Sequence, residues 1–392
     1  MTEWQCHQLT HGSGDGSFHS HAYYDIPVLD ASGRFLIGHR VGFQGRHPTP
    51  NDPLEIGMID LDGDRQWRPL GSSHAWSWQQ GAMSQWLPGP SLRAVWNDRA
   101  GDGDTFVARL FDVETGATDT IPIPLYALSP AGRFALSLNM ARLQTVRPGY
   151  GYAVHGGGIE SRAPHDDGVW RYDFHSGERR LVLSLHDAKR FLLSRLSLRQ
   201  RAKHAVSRYI YWFNHAKISP DGRRFTVKLR FRSPDLSKSW NDQMGVSLTA
   251  NVDGGDLRLL ARGASHVIWL SGDSACLWQP GGVSIYKDSA PEGKAIEIIA
   301  PELTRDNVHI QPVPGTQGHY VFDTPYREDI DLILFDSRQG TRRKIAQFTG
   351  HQPKKGPFRC DLHPYPAADG QRIIVTSLAD GGRQMYLLER KD

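Results

Sequence analysis

Cysteine is scarce in this chain. Cys6, Cys276 and Cys360 are an odd number, widely spaced, so no disulfide framework is available and a reducing compartment suits the protein. No run of about 18 apolar residues occurs, which excludes a membrane-spanning helix. The opening, MTEWQCHQLTHGSGDG, has no basic segment followed by an apolar one, so no secretory signal is read and a cytoplasmic location is expected. The net charge is only +4. That balance permits an acidic ligand but does not call for nucleic acid. There is no phosphate-binding P-loop, no dinucleotide fingerprint and no zinc-finger spacing. HGGGIE at 155–160 lacks the GxSxG elbow that would make it part of a hydrolase, so it reads as loop. Asp25 and Asp98 are present, but nothing in the pattern pairs them as a glycosidase requires.

Turn formers and aromatics are what the chain does have: 40 Gly, 24 Pro and 11 Trp, a composition that favours an all-β architecture. One turn signature recurs, as LDASGRFLIG (29–38), LSPAGRFALS (128–137), ISPDGRRFTV (218–227) and, near the end, HPYPAADGQRIIVTS (363–377). Each is an extended entry, a tight Gly turn, a basic or polar residue and a β-branched or aromatic strand. It resembles the Pro-Asp-Gly repeat of TolB-like and WD40-like propellers. Seven such units follow one another, at about 20–69, 70–121, 122–186, 208–261, 262–300, 305–348 and 358–389. They predict a single seven-bladed β-propeller domain over residues 1–392, in which the N-terminal TEWQCHQLT supplies the outer strand of the last blade. One stretch departs from the plan. Apolar residues at helical spacing and Lys189, Arg190, Arg195, Arg199, Arg201 and Lys203 predict a basic amphipathic helical insert over about 186–209. It either packs across the propeller with a solvated basic face or docks on a membrane surface or an acidic partner.

The inner strand of each blade lines the axial channel, and the loops at its mouth form the usual ligand site. Histidine recurs at that inner end in successive late blades: His215, His266, His309 and His363. Cys360 and His363 are spaced to meet one ion, and thiolate with imidazole selects zinc. His266 and His309 complete the expected set, with His215 as the substitute. The same residues read equally as buried, hydrogen-bonded core. His74, Gln80 and His215 stand where a ligand would be held, and Tyr150 and Tyr152, in a glycine-rich loop, offer stacking surfaces for sugar rings. Tyr126 opens the third unit and Arg142 follows its second strand. Elimination from a uronic-acid glycoside needs a cation at the carboxylate, a base for the C5 proton and an acid for the leaving oxygen. Arg, His and Tyr meet those needs.

SHAYYDIPVLDASGRF, WQQG, FNHAKISPDGRRF, SHVIW and CDLHP together resemble the seven-bladed propeller polysaccharide lyases, which comprise the oligogalacturonate lyases and, more closely, the ulvan-lyase type. The resemblance spans most of the chain. It implies β-elimination on a uronate-containing acidic oligo- or polysaccharide and a metal held late in the chain. Tyr126 and Arg142 resemble the ulvan-type tyrosine and carboxylate-binding arginine, and His309, Cys360 and His363 fall where ligands are expected. Where oligogalacturonate lyases carry a glutamine and a second histidine, this chain has Cys360 and Tyr365, a departure that points from manganese towards zinc. Early in the chain Gln80 stands where a base is wanted, which leaves His21 or His74 to serve, with His21 taken as the base. The alternative function is a non-catalytic glycan-binding or polysaccharide-assembly propeller that docks through its basic helix.

Overall fold

The computed structural model describes residues 3–391 apart from 13–15, 102, 157, 239–243, 291 and 304–305. Seven four-stranded antiparallel sheets make a seven-bladed propeller. The inner strands of blades 1 to 7 are Phe18–Ser20, Gln85–Trp86, Ala127–Leu128, Ile210–Ile218, Ser265–Trp269, Ile310–Pro312 and Tyr365–Pro366. In blades 1 to 6 the next three strands follow in chain order, each antiparallel to the one before. The alternating apolar residues of these strands, such as Leu36, Leu136, Phe225 and Ile374, are wholly buried between neighbouring blades.

The recurrent turns work as read. Asp30 accepts hydrogen bonds from the backbone N–H groups of Ser32 and Phe35, which closes the turn, and Gly33 sits at φ +72°. Gly132, in the same place in blade 3, has φ +64°, and a Cβ there would stand 2.3 Å from the Pro88 carbonyl oxygen of blade 2. Only glycine fits both constraints.

Trp4–Gln8 pairs with Gln384–Arg390, Trp4 opposite Arg390 and Gln8 opposite Tyr386. The first strand of the chain thus completes the last blade, as the sequence predicted. Arg65 and Arg372 tie the seam, meeting Glu389 and Asp62 across blades 1 and 7.

The insert between blades 3 and 4 differs from the single helix expected. It is two helices, preceded by a shorter one in blade 3: α1, Met140–Val146; α2, Leu185–Ser194; α3, Leu198–Ser207. Ser197 interrupts the pattern because it caps α3, its side chain meeting the Gln200 N–H while Gln200 returns a bond to the Ser197 backbone. The apolar run after 209 is not helical and forms the inner strand of blade 4. The region of α1 reads as inserted loop in the sequence, yet Asn139 caps it and Met140, Leu143 and Val146 share one buried face.

Candidate metal centre and catalytic cleft

Four inner strands carry the same irregularity. In blade 4, Asn214 pairs with Lys228 and Lys217 with Thr226, so His215 and Ala216 stand opposite Val227 alone. Blade 5 pairs Ser265 with Trp278 and Ile268 with Cys276, which leaves His266 in the equivalent place. Blade 7 bonds Thr376 N–H to the Leu362 carbonyl and then pairs Tyr365 with Ile374, leaving His363. Met83 occupies the position in blade 2. All four residues are left-handed, at φ +56° for Met83, +55° for His215 and +50° for both His266 and His363. Each is the first residue of a β-bulge, which re-aims one side chain. A non-glycine residue in this region costs of the order of 1–3 kcal/mol, and such strain concentrates at functional sites.

The re-aimed imidazoles meet at the channel. His266 and His309 have ring centroids 4.2 Å apart, and His309 and His363 4.6 Å. The potential ligand atoms of His309, Asp361 and His363 lie within 4.8 Å of one another. His309 Nε2, His363 Nε2 and Asp361 Oδ1 are buried without a hydrogen-bond partner. Three orphaned polar atoms on neighbouring side chains are costly unless something partners them, and a divalent cation fits.

The outer shell supports that fit. His309 Nδ1–H donates to the Asp323 carboxylate at 2.9 and 3.0 Å, which turns its Nε2 lone pair towards Asp361 and His363. His266 Nδ1–H donates to the Val308 carbonyl at 2.9 Å. Arg359 Nε donates to Asp361 Oδ2 at 2.8 Å, and that same oxygen lies 3.9 Å from both His309 Nε2 and His363 Nε2. Burial and the neighbouring histidines hold His266 and His363 in the neutral form a metal requires.

Cys360 is a correction to the expected ligand set. Its Sγ lies 3.8 Å from the carbonyls of Asp361 and Thr376, directed into blade 7, and burial raises its thiol to about 11. Asp361, the next residue, takes its place.

Beside the metal centre lies a second cluster. The Tyr126 hydroxyl accepts from Gln80 Nε2 at 2.5 Å and from the His215 backbone N–H at 3.2 Å, and it stands 3.5 Å from His215 Nδ1. Tyr23 links the two clusters, stacked on His215 at 5.0 Å and edge-on to His363 at 4.6 Å. Burial keeps the Tyr126 phenol protonated far above its ordinary range. Burial, then the charges of Arg147, Arg230, Lys217 and Lys228, hold His215 well below 6.5 and therefore neutral. Arg147 covers the Tyr150 ring at 3.5 Å, and Arg359 donates to the Tyr150 hydroxyl at 3.1 Å.

Other expected site residues fall elsewhere. His21 Nε2–H donates to the His363 carbonyl at 2.9 Å and Nδ1 accepts from Thr376 at 2.6 Å. Both nitrogens are occupied, so His21 fixes the His363 bulge and has no lone pair for a substrate. Arg142 donates to the carbonyls of Tyr211, Ser161 and Arg162, which fastens α1 and the following loop to blade 4. Tyr152 is core, with no exposure and its hydroxyl taking a bond from Asn97. His74 follows the outer strand of blade 1, where its backbone N–H bonds Asp98. Asp361 lies inside the CDLHP run that the sequence singles out, whereas nothing in the sequence marks Asp323, Arg147 or Arg359. The only signal for the last three is electrostatic, and it exists only after folding.

No family model matches the chain, and no curated protein matches it. Among solved structures, an oligogalacturonate lyase in complex with manganese aligns with 100% of this chain and 97% of its own length, at 14% identity and a TM-score of 0.60. A second oligogalacturonate lyase, from Vibrio parahaemolyticus, aligns with 99% of this chain and 97% of its own length, at 12% identity and TM-score 0.55. A prolyl endopeptidase aligns with 96% of this chain and 50% of its own length, at 12% identity and TM-score 0.50. Identities this low establish a shared propeller fold, and a fold common to lyases and a peptidase does not choose between chemistries.

Proposed function

We propose that this protein is a metal-dependent polysaccharide lyase that cleaves a uronate-containing acidic saccharide by β-elimination. The observation that carries the proposal is the adjacency, through Tyr23, of three orphaned buried metal-ligand atoms and a Tyr126–His215 pair ringed by cations. The likeness in fold to oligogalacturonate lyases supports it.

His266, His309, Asp361 and His363 would hold the metal. When bound, it would neutralise the substrate carboxylate as a Lewis acid and so acidify the neighbouring C–H. Without Cys360 among the donors, the thiolate reason for zinc disappears. Imidazole with carboxylate suits zinc and also manganese, and zinc remains the first ion to test.

The protein's own groups divide the proton work. Neutral His215 takes the C5 proton. The electrons of the C5–H bond form the C4–C5 double bond, and the C4–O bond breaks. Tyr126 gives its proton to the departing oxygen, and Gln80 holds the phenol in place. Imidazolium and phenolate then face each other across the His215–Tyr126 contact, so one proton transfer resets both. Arg147 and Arg359 make the cleft electropositive and favour an acidic substrate.

The test is ultraviolet absorbance of unsaturated uronate during incubation with ulvan, pectate, glycosaminoglycans and bacterial exopolysaccharides. Tyr126→Phe and His215→Gln should each lower kcat about 10²- to 10⁴-fold, the usual worth of a general acid or base. A flat trace for every polymer favours a non-catalytic glycan-binding or assembly propeller. The observation on that side is α3, where Leu198 and Val206 are each 82% exposed among basic residues.

A further inference from the structure

A groove of about 330 Å³ lies between the α2–α3 pair and blade 4. Lys203, His204, Tyr209, Phe231, Met244 and Arg262 line it. The proposed reaction does not use it. Its volume suits one or two small rings. Tyr209 and Phe231 are half-buried, with centroids 5.1 Å apart and planes inclined by 46°. Their exposed faces offer an apolar surface to the C–H face of a ring. Lys203 and Arg262 are exposed at the rim. Among the described residues neither faces a carboxylate, whereas nearby Arg195 is already paired with Glu292. His204 is set by a 2.5 Å bond between its Nδ1 and the Tyr211 hydroxyl, which leaves its other ring nitrogen for a ligand hydroxyl. Burial, Lys203 and Lys189 keep it uncharged.

We infer that this groove is a second saccharide site, which holds a carboxylate-bearing sugar ring away from the point of cleavage. The inference rests on the lyase reading for the identity of the polymer. Aromatic faces combined with cations that have no carboxylate partner, Arg262 donating only a long bond to the Arg195 carbonyl at 3.4 Å, suit a ring that is apolar on one side and anionic at one edge. The groove and the cleft are joined by one strand of blade 4. Tyr209 immediately precedes the inner strand Ile210–Ile218 that carries His215, and six residues of strand span about 20 Å. A chain of several sugar rings therefore reaches from His215 to the groove, and a disaccharide does not.

Binding and turnover are measured on the full chain carrying Lys203→Ala and Arg262→Ala together. Both side chains are exposed, so the fold tolerates the change. Calorimetric titrations use Tyr126→Phe protein with and without the pair, against long and disaccharide fragments of the panel polymer that binds most tightly, and against the carboxyl-reduced long fragment. The expected result is at least about tenfold weaker binding of the long acidic fragment, with a much smaller effect on the disaccharide and no such contrast for the reduced polymer. In the active background, KM for the long chain rises with little change in kcat. Equal effects on long and short fragments, or none, overturn the second site while leaving the lyase reading intact. Groove-dependent binding without any elimination overturns the lyase reading and keeps the site. Absence of binding to every acidic polymer overturns both.

Discussion

Cys360 and Asp361 are neighbours in the chain, yet their side chains take opposite directions, the thiol into blade 7 and the carboxylate towards His309 and His363. Metal analysis of purified protein should therefore find bound ion in Cys360→Ala and lose it in His309→Ala and Asp361→Asn. Loss in the cysteine variant would mean that a different ligand set holds the metal. A second single-residue consequence concerns His39. Its Nε2 meets the Ser84 hydroxyl at 2.8 Å and its Nδ1 is buried without a partner. Burial, then the nearby His21, lowers its pKa to about 3. The unfolded chain accepts a proton at this residue near 6.5 and the folded chain resists it. The stability it contributes is thus complete above about pH 6.5 and declines as pH falls towards 3, by up to about 1.4 kcal/mol per pH unit. Urea unfolding at pH 7 and pH 4.5 should show that decline, and His39→Gln should make it smaller, the other buried histidines supplying the rest. An unchanged slope would place the acid sensitivity in other groups.

At the scale of elements, α1 and the inner-strand bulges do the positioning. The Arg142 side chain on α1 satisfies three carbonyls from two other segments. Leaving a buried acceptor unsatisfied costs about 1–3 kcal/mol. Arg142→Met should therefore lower thermal stability by an amount on the order of 3 kcal/mol, and should do so equally in active and Tyr126→Phe backgrounds. Unchanged melting with a raised KM for acidic saccharide would instead make Arg142 a substrate residue. The bulges explain why histidine recurs along the sequence. The recurrence is legible because each histidine precedes a readable turn signature. The left-handed backbone is not, since it arises from two residues facing one across a strand pair, and no local propensity of His, Val or Pro announces it. Asp361 stands in the same CDLHP run as Cys360 and His363, and only the fold decides that its carboxylate, not the neighbouring thiol, groups with His309 and His363.

For the whole molecule, the ring closes through five residues. Trp4–Gln8 covers the edge of Gln384–Arg390, and Trp4 packs on the cluster of blades 6 and 7 that includes Ile330, Leu332 and Leu388. Deleting residues 1–9 leaves that edge open, and open edges recruit other chains. The truncated protein should melt several degrees lower and self-associate, as read by light scattering. A monomer with an unaltered melting temperature would show that the ring holds without its seam.

Blade number, strand order and the closing strand were determined by the sequence, because glycine turns and alternating apolar residues are local and repeat seven times. Tyr126, Gln80, His215, His266, His309 and His363 could also be picked out, since each stands in or shortly before a blade's inner strand. The tertiary structure alone decided how they are used. It spent the two nitrogens of His21 on the His363 carbonyl and the Thr376 hydroxyl, spent Arg142 on backbone carbonyls, and exchanged Cys360 for Asp361. It also brought Arg147 and Arg359 from separate blades to one cleft. Which polar atoms are left unsatisfied depends on every neighbour that burial supplies, and those neighbours come from strands far apart in the chain.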